Sequence, residues 1–576
     1  MVPNVTERHR REDPSKELSA LAREYWEACM EESPLFGTMI GVPGHDDRLQ
    51  DITPAGRARW IRQIEGFLQR AESIPIAGLS AEERTTRSEL ITSVVTSLDA
   101  DRCELETWVV DPLDGPVVSL LNVESYQPRK TVEDGRNLLA RWRAMEPHLN
   151  DHAANLRRGI AAGKVAVRPG VLKVLEQIDD FGRKRIEDLP LLKPLRDAHS
   201  DWSETELAAF RTELTEAVRD GIRPAYLRLG ETLREEILPR ARPDDRPGIM
   251  HVPEGAAAYR RLIHSYTGLD LSPDDVHQKG LQEVARINRE MEDLGEKVFR
   301  TRDRSEILRR LRTDQELYFR TRDEVEQKAR EALARAKAAI PRFFGRLPKA
   351  DCEVVRMEEH EEKHSTIAYY RWPAADGSRP GRYYINTSAP ETRPRYEAEV
   401  LAYHESIPGH HLQLAISQEL GGLPEFRKHR GVTAFHEGWG LYTERLADEM
   451  GLYTADLDRI GVLSYDAWRA CRLVVDTGMH ARGWTRSQAI DFMLENTALA
   501  QNNIMNEVDR YIAWPGQALA YKVGQLEIRR LRTEAERRLG KRFDLRAFHD
   551  AVLENGAVSL GTLRSAIDGY IVKSAR

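Results

Sequence analysis

Apolar residues that recur every three or four positions from Ser15 to about Leu238 constrain this chain more than any other feature. Stretches such as LSALAREYWEACM (18–30) and LAAFRTELTEAVRDGI (207–222) lay an apolar stripe along a 3.6-residue helix, and no strand-like alternation competes with them. The segment ILPRARPDDRPGIMHVPEG (237–255) holds four prolines and two glycines, which interrupt helical hydrogen bonding and predict a loop near residues 239–255. Helical spacing then resumes to about Phe344, with Ser272-Pro273 as cap and first turn and Thr321 with Glu324 at capping-box spacing.

Between Asp351 and Ser388 the texture changes. CEVVRM (352–357), STIAYYRW (365–372) and RYYINTS (382–388) are short, rich in Val, Ile and Tyr, and separated by polar or Gly/Pro-containing turns, which predicts a small antiparallel sheet. After Arg395 the helical texture returns and runs to the end. At 576 residues the chain exceeds the roughly 250–300 at which one core stops growing. Three regions are expected: an N-terminal helical lobe (1–240), a helical middle (241–350), and a catalytic region (351–576).

Charge narrows the function classes. A formal net charge of -7, with 31% charged residues of both signs spread along the chain, lacks the basic footprint of a nucleic-acid binder. Cys29, Cys103, Cys352 and Cys471 are too few and too scattered for a disulfide framework or a thiolate cluster. The N-terminus shows no apolar core of signal-peptide length, and no apolar run approaches the ~20 residues that span a bilayer. The expectation is a cytoplasmic protein without nucleic-acid or membrane partners, acting on a small substrate.

The run Tyr403-His404-Glu405-Ser406-Ile407-Pro408-Gly409-His410-His411 concentrates metal ligands. In the usual zincin helix two His four residues apart face one metal, and the Glu after the first His acts on water as general base. Here Pro408 occupies the fourth position. At ~100° per residue a regular helix sets His411 about 20° from His404 and His410 about 120° away, which favours His411. A break at Pro408-Gly409 brings His410 round instead. Glu437, 33 residues after His404 in FHEGWGLYTE, offers a third ligand, leaving the fourth position open as catalytic zinc requires. Glu444, seven residues on, shares nearly the same helix face and is a candidate to orient a ligand, to serve as an alternative ligand itself, or to form a surface ion pair with a nearby Arg. His436 reads as packing.

Two further stretches are suited to supply supporting groups. In RLVVDTGMH, Asp476 and His480 lie four apart on one helix face, either toward a cleft, with Asp476 orienting a ligand imidazole and His480 acting in catalysis, or within a helix-stabilising network with Arg472. Pro515-Gly516 interrupts a helical pattern between Tyr511 and Tyr521, downstream of Arg510. The tyrosines are candidate oxyanion donors and Arg510 a candidate clamp for a substrate carboxylate; the alternative is that all three are core residues.

These motifs resemble the bacterial family called domain of unknown function 885, over most of the chain: the segments Thr38–Gly44 and Gly248–Glu290, then RPGRYYINTS, HESIPGHHLQ, FHEGWGLYTE, RLVVDTGMHARGW and YIAWPGQALAYKVG. More remotely they resemble the gluzincin metallopeptidases related to angiotensin-converting enzyme, thimet oligopeptidase and thermostable carboxypeptidases. That kinship implies a His-Glu-x-Gly-His helix and a downstream His-Glu whose glutamate binds zinc. Glu437 matches the glutamate, and alignment on Gly-His makes His410 the second ligand, with two residues inserted before it. It also implies a mainly helical, two-lobed shell around a deep cleft, with a sheet whose edge strand pairs with the substrate backbone. RYYINTS looks like that strand, which makes Tyr384 and Asn386 candidate substrate contacts, with a turn role the alternative for Asn386.

The expectation is therefore a hydrolase with one Zn2+ on His404, His410 (or His411) and Glu437, Glu405 activating water, and short peptides or small amides as substrates. A metal-dependent hydrolase of a non-peptide metabolite and a catalytically inactive ligand-binding relative are the alternatives.

Overall fold

The computed structural model describes residues 13–576 apart from 198, 200, 358–361, 363–366, 374–376 and 378. Residues 1–12, part of the N-terminal stretch read above, lie outside the described residues, as do Ser365 and Thr366 at the start of the second expected strand.

The protein is mainly helical, and local chemistry sets the helix ends. Asp13 accepts from the Ser15 N–H to open Pro14–Glu32, and Ser272 accepts from the Asp275 N–H to open Pro273–Phe299. Thr321 accepts from the Glu324 N–H, but Glu324 reaches past it to the Arg320 N–H, so only half of the expected capping box forms. The expected break falls after the short turn Leu238–Arg240, and the helix Gly255–Thr267 follows it. Among the described residues no helix is long and apolar enough to cross a membrane.

Eight helices carry or hold the site: α1 (Pro273–Phe299), α2 (Arg322–Ala339), α3 (Ala398–Glu405), α4 (His410–Glu419), α5 (Thr433–Glu449), α6 (Asp456–Ala481), α7 (Gln501–Ala513) and α8 (Leu519–Leu539). Residues between Leu18 and Leu98 form one buried cluster with Phe426, and residues between Val110 and Ile237 form another. Residues Ala329 to Phe344 pack into a core with residues of 352–571, and Val284 to Leu311 pack with residues of 460–518. The stretch 241–350 thus shares its cores with the stretch that follows it.

α1 lies along α6, and α5 along α8. A buried ionic knot ties these four together. Asp466 of α6 meets Lys522 of α8, Arg445 of α5 at 2.6 Å and Arg286 of α1 at 3.2 Å, and Lys522 is fully buried. A carboxylate so surrounded stays ionised despite burial, its pKa well below the ordinary range.

The sheet comprises β1 (Cys352–Arg356), β2 (Ala368–Arg371) and β3 (Gly381–Ile385), in the order β1-β3-β2. β3 pairs in parallel with β1 (Val354 opposite Tyr383) and antiparallel with β2 (Tyr370 opposite Tyr383). This corrects two expectations: the sheet is mixed, and β3 is its central strand. Its hydrogen-bonding edges are already taken, so it is not the edge offered to a substrate. Strand texture reports that a segment is extended and half-buried; it does not report which neighbour it pairs with.

Candidate functional site

α3 ends where the sequence places its irregularity. Ser406 leaves helical geometry, the chain passes through a cis Ile407-Pro408 bond, and α4 starts at His410. Gly409 sits where a Cβ would stand 2.0 Å from the His404 carbonyl oxygen, so only glycine lets the chain fold back this tightly. The return sets His410 beside His404, their ring centroids 4.6 Å apart and nearly perpendicular.

Glu437 of α5 completes the group. Its Oε2 lies 3.6 Å from His404 Nε2 and 3.6 Å from His410 Nε2, and the three ligand atoms lie within 4.8 Å of one another. Ligands about 2.0–2.1 Å from a tetrahedral ion stand about 3.3 Å from each other, so these residues fit one small divalent cation with little movement. The His410 side chain is 14% exposed and that of Glu437 21%. His404 is seated by Gly440, where a Cβ would stand 2.7 Å from the imidazole Cε1.

Glu444, one helical face along α5, is fully buried and takes His404 Nδ1 at 2.8 Å. This fixes Nε2 as the free nitrogen, the usual carboxylate–histidine orientation of a metal ligand. Burial disfavours a charged His404, but Glu437 and Glu444 outweigh it and lift its pKa to about 9. The two imidazoles in turn hold the Glu437 carboxyl well below its usual range against burial.

Glu405 carries no hydrogen bond among the described residues. Burial raises its pKa, with His410 and His404 pulling the other way and Glu437 adding to the rise. A desolvated carboxyl beside two imidazoles has the raised pKa that general bases show.

His411 does not join the cluster. Its Nδ1 contacts the Tyr370 hydroxyl at 2.8 Å and its Nε2 the Ala350 carbonyl at 3.1 Å, while burial lowers its pKa to about 4. Regular helical geometry favoured it, and the break at Ser406–Gly409 removes that regularity. His436 packs against Gln413, which its Nδ1 meets at 2.9 Å.

Of the supporting groups, Tyr521 stands nearest the centre. Burial and then the charge of Glu437 raise its pKa, its ring is covered by Arg472 at 4.4 Å, and its hydroxyl has no hydrogen bond among the described residues. Tyr511 is fully buried and committed: its hydroxyl donates to Glu507 at 2.7 Å and accepts from Arg472 at 2.9 Å and Trp468 at 3.0 Å. Arg510 is locked between Glu507 and Gln517. His480 is a structural tie, with Nδ1 accepting from the Ile249 N–H and Nε2 meeting the Tyr511 carbonyl, each at 3.0 Å. Asp476 touches no ligand imidazole; it accepts from the Tyr259 hydroxyl and the Gly516 N–H. Asn386 is buried and anchors its loop by donating to the Glu362 carbonyl at 2.7 Å and accepting from the Ser388 N–H at 3.1 Å. Tyr384 stacks on Tyr369 with centroids 4.8 Å apart, on the sheet face away from its neighbour Tyr383.

Two residues near the centre escaped sequence reasoning. Tyr383 is buried, and the Glu405 charge adds to the burial that raises its pKa. Arg469 of α6 is buried with its Nη2 3.6 Å from Glu444 and its Nε without a partner among the described residues. The signals were there: the strand alternation that separates Tyr383 from Tyr384, and an arginine within the apolar run of α6, where a buried charge requires a partner.

A mainly helical protein with a small mixed sheet and a two-His, one-Glu cluster is the class that fold and site define. The chain belongs to the bacterial protein family of unknown function DUF885, whose sequence model matches residues 34–567. A solved structure described as "the putative lipoprotein from Colwellia psychrerythraea" is 26% identical, with a TM-score of 0.91 over 97% of this chain and 100% of that one. A second, described as "a putative lipoprotein of unknown function from Shewanella oneidensis", shares the fold at 19% identity, with a TM-score of 0.73 over 95% of this chain and 99% of that one. No curated protein matches the sequence.

Proposed function

We propose that this protein is a zinc-dependent hydrolase that cleaves amide bonds of short peptides or peptide-like substrates. The observation that carries the reading is the meeting of the His404, His410 and Glu437 ligand atoms within 4.8 Å of one another, with Glu437 3.6 Å from each imidazole and Glu444 orienting His404. Zinc bound there supplies Lewis acidity toward a carbonyl oxygen and toward water. Glu405 takes the proton of the attacking water and returns it to the leaving amine. Tyr521 donates its hydroxyl proton in a hydrogen bond to the developing oxyanion. Glu444 keeps the His404 proton on Nδ1, which leaves Nε2 available as a ligand.

The two-lobed shell and deep cleft of the gluzincin metallopeptidases belong to this reading. So does a cytoplasmic location, which the four free, buried cysteines support; the word lipoprotein describes the similar structures, and cell fractionation decides the matter here. The functional test is turnover of a panel of dipeptides, acylated peptides and simple amides by zinc-loaded protein. Glu405→Gln should lose about 10²–10⁴-fold in kcat while keeping its metal. Zinc-loaded wild type that turns over none of the panel would contradict the reading, and activity on simple amides alone would move the substrate class away from peptides.

A further inference from the structure

One wall of the metal cluster is also a wall of a cavity. A partly open pocket lies between Val325 and Ala329 of α2, Tyr383 and Ile385 of β3, Leu401 of α3 and Tyr465 of α6, with Arg393 and Glu397 also lining it; with the solvent space at its mouth included it measures about 520 Å³. Its walls are mostly apolar with a few polar groups among them, which is the usual make-up of a small-ligand pocket. Its placement relates it to the site. Leu401 precedes Glu405 by four residues, which puts the two on nearly the same face of α3 about 6 Å apart along its axis. The Tyr383 ring lines the cavity while the Glu405 charge acts on its hydroxyl, and Tyr465 feels Glu444 in the same way. Glu397 lies at the margin with Ser464 as its hydroxyl donor, and burial lifts its pKa to about 7, so about half of it is uncharged at neutral pH and most of it in acidic solution.

We infer that this cavity is the specificity subsite of the hydrolase proposed above and receives one bulky apolar side chain, aliphatic or aromatic, from the residue next to the bond that is cut. The inference rests on that reading for the bond, and on the cavity alone for the side chain. An apolar group entering it loses nothing to desolvation. A charged one gives up its hydration among mostly apolar walls, where Arg393 and Glu397 are already engaged by Ser388 and Ser464.

The test titrates zinc-loaded protein with the hydroxamates of glycine, phenylalanine and lysine, which share one metal-binding group and differ in side chain. The phenylalanine compound should bind at least about 10-fold tighter than the other two. Ala329→Phe, which fills the cavity, should reduce it to the glycine value and leave glycine hydroxamate affinity and zinc content unchanged. Leu401→Trp, at a half-buried position on the same wall, serves if Ala329→Phe does not fold. Equal affinities for the three in wild type, or tightest binding of the lysine compound through Glu397, would overturn the inference. Failure of the glycine compound to bind would count against the metal centre instead. The cavity is then tested without metal, by the thermal shift that 4-methylphenol produces in wild type: a shift abolished by Ala329→Phe supports apolar binding there, and no shift in wild type overturns it.

Discussion

His404 sits between two carboxylates, and the division of labour between its nitrogens decides what the centre can hold. Glu444 takes Nδ1 and Glu437 faces Nε2, so replacing Glu444 with Gln should weaken zinc affinity about 10–100-fold in a chelator competition; unchanged affinity would deny it the orienting role. The two tyrosines flanking Pro515-Gly516 separate in the same way. Tyr521→Phe should lower kcat about 10²–10³-fold with stability unchanged. Tyr511→Phe removes the hydroxyl on which Glu507, Arg472 and Trp468 converge, and should cost about 1–3 kcal/mol in urea unfolding without a primary effect on chemistry. At this scale the dense His-Glu motifs were legible, because ligand chemistry demands particular residue types close together. Asp476 and His480 were not. Spacing of four says that two side chains share a face, and their partners, Tyr259, Ile249 and Gly516, arrive from elements remote in sequence.

Helix α3 could not present both histidines if it continued. The sequence announced the break at Pro408-Gly409 but not the path through it, which depends on the backbone of Tyr403 and His404 that Gly409 approaches. Helical geometry and motif alignment therefore gave different second ligands, and the break brings His410 to the cluster. α5 is cut to fit from the other side. A methyl group in Gly440→Ala would press on the His404 ring; the overpacking should cost about 1–3 kcal/mol of stability and lower zinc content, both measurable on the same preparation. A variant with wild-type zinc content and stability would show that the two helices tolerate a wider spacing. The sheet teaches the complementary lesson. All three strands were visible in local composition, whereas the central position of β3 depends on β1 returning beside it from about 30 residues earlier, a pairing that no local pattern encodes.

Across the whole molecule, the His404, His410 and Glu437 cluster depends on helices held by charge as well as by apolar packing. Asp466 draws α1, α5, α6 and α8 to one buried point, and α5 carries Glu437. Asp466→Asn would remove the carboxylate that Lys522, Arg445 and Arg286 share and leave them to Glu283 and Glu290 alone; it should cost about 3–5 kcal/mol, read as a lower urea midpoint, and a neutral outcome would mean that the remaining contacts hold the bundle without it. Helical class and the late position of the His404, His410 and Glu437 cluster could be read from periodicity and motif order. The sharing of cores between residues 273–344 and the region after 351 could not, because every helix in those stretches carries the same amphipathic signature whichever neighbour it meets. The central claim is the identity of the metal ligands, and elemental analysis of protein purified without added metal or chelator tests it most directly. One zinc per chain in wild type and in His411→Ala, lost in His410→Ala and in Glu437→Ala, is the predicted result. Zinc retained in His410→Ala but lost in His411→Ala, or no zinc bound by wild type even when it is supplied, would contradict it.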